Sequence, residues 1–195
     1  QVRVLGAASQ CLRHGKEILE SDNSLGEAAN FLWLITGNKP SEDMERTMDI
    51  CYILHADHGF NASTFSGRVT IATLSDVYSA VTSAIGTLKG PLHGGANEGV
   101  IKMLQEIGDL EKVDAYVDDC LANTRRIMGI GHRVYRVLDP RAPHLKRMAQ
   151  KLTKELGEPK WIQMSERIAE LMLEKKNLNA NVDFYSATVY YSLDI

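Results

Sequence analysis

The sequence of 195 residues has little cysteine and no long apolar run. Its three cysteines are odd in number, lie far apart and include no CxxC pair, so a disulfide framework is not expected: Cys11, Cys51 and Cys120. We therefore expect a reducing compartment, the cytoplasm. No apolar segment is long enough to cross a bilayer, and the first residues do not form a signal peptide. We therefore do not expect a membrane-spanning protein.

The chain also lacks an excess of positive charge. Its 22 basic residues face 25 acidic residues, which gives a net charge of −3 and disfavours a nucleic-acid-binding protein. The hydrophobic fraction of 44% is enough for the core of one globular domain, or of one and a half. Because the chain begins at Gln1 rather than Met and stops abruptly at Ile195, we expect it to be part of a longer one.

Almost every segment carries apolar residues at helical spacing, and none alternates as a half-buried strand does, so we predict an all-α fold. Ser24 is expected to open one helix as a capping box and Ser41 to cap the next. The small residues after Ser75 favour close packing and predict a central helix there. Further helices are predicted to start near 61, near 75 and at 182. Two more should cover about 96–107 and 113–128, and another two should end near 156 and 176.

His55 and His58 are three residues apart, which on a helix places both imidazoles on one face. This spacing suits a metal pair, although no HExxH motif or cysteine pair supports it. A helix C-terminus, where imidazoles meet free carbonyls, is favoured over the metal pair. A third interpretation is that one of these histidines binds an anion.

His93 is followed directly by Gly94 and Gly95, which would leave its ring uncrowded and let a ligand approach the backbone. A helix begins just after them, and its free N–H groups favour a developing negative charge. The nearby dipole also favours a neutral imidazole that donates one hydrogen bond. The alternative is a simple corner between two helices.

His132 repeats this pattern, because it follows Gly129-Ile130-Gly131 and is followed by arginines. A phosphate-binding glycine loop is disfavoured here, since the rest of such a motif is absent. Arg136 and Arg141 can each bind a carboxylate or phosphate through two hydrogen bonds. Ordinary solvated charge is the alternative for arginines.

Asp183 stands at the start of the last predicted helix. A helix-capping aspartate is the common fate of such a residue. The functional alternative is a general base, whose pKa must lie near the working pH. From spacing alone, the cap is favoured over the general base.

Five segments follow one another along the chain: ILHADHGFNAST at 53–64, GPLHGGAN at 90–97, GIGHRVY at 129–135, DPR at 139–141 and NVDFYS at 181–186. Together, and in this order, they resemble the citrate synthase family. Their sequences are most similar to those of its shorter bacterial and archaeal dimeric members. The resemblance covers essentially the whole chain.

The resemblance implies a condensation of acetyl-CoA with oxaloacetate, followed by hydrolysis of citryl-CoA. Asp183 would remove a proton from the acetyl-CoA methyl group while His93 hydrogen-bonds the thioester oxygen, and His132 would donate to the oxaloacetate carbonyl. Substrate-binding residues implied in the same way are His58 and Arg141 for oxaloacetate and Arg136 for CoA. It implies no metal and no tightly bound cofactor, since the CoA thioester is a substrate.

The resemblance also implies two helical domains that close over the substrates. The larger would include 1–93 and the return from 189–195, and the smaller would be 94–188. A homodimer is implied, with the helix from Ser75 and the helix before His55 at its interface. Family members extend beyond both ends of this chain, and two further substrate-binding arginines are expected in the segment after Ile195.

Two alternatives remain at this stage. A 2-methylcitrate synthase, which uses propionyl-CoA, shares every one of these segments, and one methylene group contributes only about 1–3 kcal/mol of discrimination. A non-catalytic helical scaffold or a metal-binding module on His55 and His58 belongs to another class. It predicts no CoA release in the presence of oxaloacetate.

Overall fold

The computed structural model of the protein describes residues 2–56, 59–91, 93–131 and 137–195. In these ranges the fold is helical, and the only pairing outside helices is one antiparallel bridge between Ile130 and Ala180. The prediction of an all-α fold is confirmed. A short 3₁₀ helix covers Leu110–Lys112, and the α-helices are α1 Val2–Arg13, α2 Glu27–Thr36, α3 Glu42–His55, α4 Ala62–Ala72, α5 Val77–Leu88, α6 Ala96–Ile107, α7 Val113–Ala122, α8 Ala142–Glu155, α9 Lys160–Lys176 and α10 Val182–Ser192.

Several helices begin where a polar side chain caps the first turn. The side chains of Ser41, Asn61 and Asp76 each accept a hydrogen bond from a backbone N–H three residues later, which opens α3, α4 and α5. The predicted cap at Ser41 is confirmed. At the other end of α2, Gly37 adopts a left-handed conformation with φ +78°, which ends that helix.

Two sequence-based expectations about helix ends are wrong. Ser24 does not cap α2, because its N–H and hydroxyl both bond the carboxylate of Asp22, and the N-cap position belongs to Gly26. The helix predicted over 113–128 stops at Ala122. Thr124 takes a left-handed conformation with φ +53°, and the N–H of Arg125 bonds the carbonyl of Cys120, which closes α7.

The main core is built around α10, whose residues from Phe184 to Val189 are all buried. This helix packs against α6, α8 and α9. The core extends through these helices to apolar residues of α2, α3 and α7. A smaller cluster of Ala7, Leu34 and Ile35 joins α1 to α2. None of the helices in the described ranges combines the length and the apolarity that a membrane crossing requires.

The helix expected to be central, α5, is peripheral, because none of its residues is buried. Its small residues do pack closely, but against α4: a Cβ added at Gly67 of α4 would lie 3.4 Å from the carbonyl oxygen of Ala80 and 3.5 Å from Cβ of Ala84. The helices α4 and α5 form a hairpin that leaves many apolar side chains exposed. We call this surface the α4–α5 apolar face.

Candidate functional site

His93 lies in the turn between α5 and α6 and is partly buried. The turn is closed by hydrogen bonds from the His93 N–H to the Gly90 carbonyl, 2.9 Å, and from the Ala96 N–H to the His93 carbonyl, 3.2 Å. Its ring Nε2 lies 2.7 Å from the hydroxyl oxygen of Ser63, in the first turn of α4. The imidazole is therefore held from the backbone side and from the ring side.

The glycines after His93 allow the turn to pack closely against the preceding backbone. A Cβ at Gly94 would lie 2.6 Å from the carbonyl oxygen of Leu88, and a Cβ at Gly95 would lie 3.2 Å from the carbonyl oxygen of Gly90. The face of Gly94 that a side chain would occupy is thus turned toward the end of α5. Glycine is needed at 94 because the turn folds back onto that helix.

Asp183 occupies the first turn of α10 and is partly buried. The interpretation of Asp183 as the helix cap is wrong, because Asn181 is the N-cap and its side-chain oxygen accepts the Asp183 N–H at 3.0 Å. Asp183 is the second residue of the helix, after the cap position. Its negative charge near the positive end of α10 is a favourable placement.

The segment before Asp183 pairs with the segment that precedes His132 in the sequence. The Gly131 N–H donates to the Asn179 carbonyl at 2.8 Å, and the Asn181 N–H donates to the Gly129 carbonyl at 2.9 Å. These two bonds flank the antiparallel bridge between Ile130 and Ala180. A third bond runs from the Asn181 side-chain amide to the Gly131 carbonyl, 2.8 Å.

Gly129 lies where α6, α10 and this paired segment meet. A Cβ at Gly129 would lie 2.8 Å from Cγ2 of Val100 in α6 and 2.8 Å from Cδ2 of Phe184 in α10. Gly129 also has φ +74°, a conformation that favours glycine. Val100 and Phe184 are both 0% exposed, so the contact is part of the core.

Three segments that adjoin or contain predicted catalytic residues therefore meet at Gly129. The turn with His93 leads into α6, the segment 129–131 leads to His132 in the sequence, and Asp183 opens α10. These segments are far apart in the sequence. They are held together by the packing around Gly129 and by the three hydrogen bonds between 129–131 and 179–181.

Arg141 forms a two-point ion pair inside the protein. Its Nε and Nη2 donate to the two carboxylate oxygens of Asp139 at 3.0 and 2.8 Å, and its backbone N–H also bonds this carboxylate. The side chains of Asp139 and Arg141 are 1% and 11% exposed. The opposite edge of the guanidinium, formed by Nη1 and the second hydrogen of Nη2, is the edge that can meet a ligand carboxylate.

His55, at the end of α3, packs beside α10. Its ring lies 6.3 Å from the ring of Tyr190, and its Nδ1 is 2.8 Å from the Cys51 carbonyl. Burial raises the pKa of Tyr190 above its usual range, and the nearby Cys51 and Asp183 raise it further. The end of α3 is thereby close to the face of α10 that carries Asp183. The bond of His55 to a helix carbonyl agrees with the helix-end interpretation of this residue.

Three predicted site residues lie outside the described residues: His58, His132 and Arg136. Their predicted roles stay predictions. Within the described ranges, no group of three histidine, cysteine or acidic side chains is close enough to hold a metal ion. The three cysteines are buried free thiols.

Two residues with direct contacts in this region were missed by reasoning from the sequence. Ser63 contacts His93 across 30 residues of chain, and no local pattern signals such a contact. Asn181 was not predicted to cap the last helix. Its signal was available, since asparagine directly before an apolar helical segment is a preferred N-cap.

Comparison with known proteins gives one family. The family model for the citrate synthase C-terminal domain matches residues 1–195. Citrate synthase 2 of Bacillus subtilis is 52% identical over all of this chain and 53% of its own length. The 2-methylcitrate synthase 1 of Corynebacterium glutamicum is 42% identical, over 93% of this chain and 49% of its own length.

The same family appears among solved structures. The ternary complex of citrate synthase from Thermoplasma acidophilum with carboxymethyl coenzyme A and oxaloacetate matches with a TM-score of 0.91 and 32% identity. The match covers 99% of this chain and 52% of that one. The chain spans about half the length of the curated relatives it matches.

Proposed function

Because this chain belongs to the citrate synthase family, we propose that the whole protein condenses acetyl-CoA with oxaloacetate and hydrolyses citryl-CoA to citrate and CoA. The reaction consumes one water and needs no tightly bound cofactor, since the CoA thioester is a substrate. The observation that supports the proposal is the packing at Gly129, where the segment just before His132 in the sequence meets α6, which follows His93, and α10, which contains Asp183.

In the proposed reaction Asp183 is the base. It takes a proton from the acetyl-CoA methyl group, and the resulting enol carbon attacks the oxaloacetate carbonyl. A methyl group beside a thioester is far less acidic than a carboxylic acid, so a carboxylate alone cannot drive this transfer. A donor aimed at the thioester oxygen must stabilise the enolic oxygen, a contribution of about 3 kcal/mol or more.

His93 supplies that donor in the proposal. The Ser63 hydroxyl is 2.7 Å from Nε2, so a hydroxyl that donates to Nε2 leaves the ring proton on Nδ1. A neutral His93 then has one N–H to offer to the thioester oxygen. In this proposal Ser63 donates the bond and so selects the tautomer, and the turn that holds His93 orients its ring.

Oxaloacetate is a dianion and needs several cationic or polar donors. We assign one carboxylate to the free edge of Arg141, whose other edge is fixed by Asp139. That ion pair keeps the guanidinium oriented before the substrate arrives, which lowers the entropy lost on binding. His58 is the proposed second partner of oxaloacetate, His132 the donor to its reacting carbonyl, and Arg136 a partner of the CoA phosphates.

The proposal includes two helical domains, 1–93 with 189–195 and 94–188, that close over the substrates. Closure would exclude water while the new carbon–carbon bond forms. His93 would lie at the hinge, because it stands at the junction of the two ranges. The buried free thiols support a cytoplasmic location for the protein.

We also propose a homodimer, and the α4–α5 apolar face supports it. Many large apolar side chains exposed on one helical hairpin are typical of an interaction site. The two helices contact each other closely and leave these large side chains exposed: Phe65, Val69, Ile71, Leu74, Val77, Tyr78, Val81, Ile85 and Leu88. A second copy of the chain is the expected partner.

The activity is tested by measuring CoA thiol release by the whole protein. We expect release from acetyl-CoA that depends strictly on oxaloacetate. Absence of oxaloacetate-dependent release would overturn the proposal and favour the non-catalytic alternative. The same assay with propionyl-CoA decides between the two substrates, and we expect the higher kcat/KM with acetyl-CoA.

A further inference from the structure

We propose that Asn181 is a positioning residue that fixes the segment leading to His132 against the helix that carries Asp183. This inference rests on the proposed function for its catalytic consequence. The geometry behind it stands on described residues alone. Three hydrogen bonds of Asn181 run to Gly129, Gly131 and Asp183.

The side chain of Asn181 uses both ends of its amide. The oxygen accepts the Asp183 N–H at 3.0 Å, and the nitrogen donates to the Gly131 carbonyl at 2.8 Å. The opposite orientation of the amide would set N–H against N–H and oxygen against oxygen. The two partners therefore fix the amide in one orientation.

Helix capping alone does not require asparagine. Serine, threonine, aspartate and asparagine all cap well through a side-chain oxygen. Among these, asparagine alone carries an acceptor and an N–H donor on separate atoms of one planar group, whereas serine and threonine have a single short hydroxyl for both bonds and aspartate only accepts. The bond to Gly131 is thus the feature that sets Asn181 apart from an ordinary cap.

The bond joins two parts of the site that are far apart in the sequence, since Asn181 and Gly131 are separated by 50 residues. Gly131 directly precedes His132, and Asp183 is two residues after Asn181. Reacting groups lose about 100-fold in rate when misplaced by about 1 Å. A link at this point controls the distance between the base and the segment that carries the proposed carbonyl donor.

The test uses two variants of the whole protein that keep the cap and lose the link. Asn181→Ser retains a hydroxyl that can cap but is too short to reach Gly131, and Asn181→Asp retains the size but has no N–H. Ser41→Ala, which removes the cap of α3, is the control for the loss of a helix cap. We expect both Asn181 variants to lose about tenfold or more in kcat, with KM for oxaloacetate and the folded fraction nearly unchanged. Ser41→Ala should lose thermal stability and keep its kcat.

A second readout does not depend on activity. Hydrogen exchange at the Gly131 and Asn181 amides should speed up in Asn181→Ser, because both amides belong to the pairing that the link supports. The proposal is overturned if kcat of both variants stays within twofold of wild type, if the kcat loss only follows the folded fraction, or if these amides exchange at the wild-type rate. A wild-type protein without oxaloacetate-dependent activity but with the exchange effect would refute the proposed function and leave the link itself established.

Discussion

At the scale of single residues, the contact between Ser63 and His93 is the most direct chemical feature in the described part of the site. At 2.7 Å the serine hydroxyl forms a hydrogen bond with Nε2 of the ring, and a hydroxyl that donates in this bond places the ring proton on Nδ1. The sequence placed His93 in a cleft and gave no reason to connect it with a serine 30 residues earlier. The proposed donor role of His93 depends on that connection.

Replacing Ser63 tests this dependence. Ser63→Ala should lower kcat about tenfold, because one hydrogen bond that sets the tautomer contributes about 1 kcal/mol or slightly more. Ser63→Thr keeps a hydroxyl at the same carbon and should retain most of the rate. Steady-state assays on both variants make the comparison, and equal rates for the alanine and wild-type proteins would remove Ser63 from the mechanism.

The thiol of Cys51 gives a prediction about pH. Burial raises its pKa from the usual 9.0 to about 12, although a hydrogen bond with Tyr190 acts in the opposite direction. Between these pH values the unfolded chain has lost the thiol proton and the folded chain keeps it, so stability falls as the pH rises. This group should contribute a slope of up to about 1.4 kcal/mol per pH unit.

Urea unfolding at several pH values between 9 and 12 measures that slope. Cys51→Ala should be less stable at neutral pH, because it removes a buried side chain, and should lose stability less steeply as the pH rises. Parallel curves for the two proteins would show that the Cys51 proton does not contribute.

At the scale of elements, Gly129 is the point where the helices α6 and α10 and the paired segment depend on one another. Its positive φ and the two side chains at 2.8 Å from a hypothetical Cβ leave no room for a larger residue. Phe184 Cα would also lie 2.9 Å away, so relief would require movement of the α10 backbone. The start of α10 is where Asp183 lies.

Gly129→Ala should therefore cost about 3 kcal/mol of unfolding free energy, which combines backbone strain with overpacking. Gly157→Ala is the matched control, because Gly157 has φ +73° with nothing within 4 Å of the added Cβ, and it should cost only about 1 kcal/mol. Chemical denaturation of both variants provides the values. Equal losses would mean that the packing around Gly129 is not the tight junction described.

Elements were largely predictable from local chemistry, and their partners were not. Polar caps such as Ser41 and glycine ends such as Gly37 act within one turn, so the sequence locates them. Thr124 ends α7 in a left-handed conformation that threonine rarely adopts, which no local preference predicts. The small residues of α5 indicated close packing, but they could not tell a buried helix from a hairpin partner.

The same limit applies to the site. The residues His93 and Asp183 were identified from motifs, whereas the cap position of Asn181 and its bond to Gly131 required the fold. Arg141 was predicted as a carboxylate ligand, and its pairing with Asp139 was not foreseen although the two are only two residues apart. Tertiary packing determines which residues far apart in the sequence come into contact. It also determines which of several possible partners a side chain binds.

At the scale of the whole molecule, the α4–α5 apolar face predicts self-association. Val81→Glu introduces a charge in this face, where Val81 is 43% exposed, and should shift the whole protein toward monomer. Leu173→Glu is the control, since Leu173 of α9 is similarly exposed at 47% and lies outside the face. Sedimentation analysis of the two variants distinguishes them. A wild-type protein that sediments as a monomer would contradict the proposed dimer.

The central proposal is that Asp183 is the base of a condensation reaction. The most direct measurement is CoA release from acetyl-CoA and oxaloacetate by Asp183→Asn in the whole protein, compared with wild type. The change removes the proton acceptor and keeps the size of the side chain, so we expect kcat to fall about 100-fold to 10,000-fold with an unchanged helical spectrum. A folded variant that kept more than about a tenth of the wild-type rate would contradict the account, because general-base catalysis cannot contribute so little.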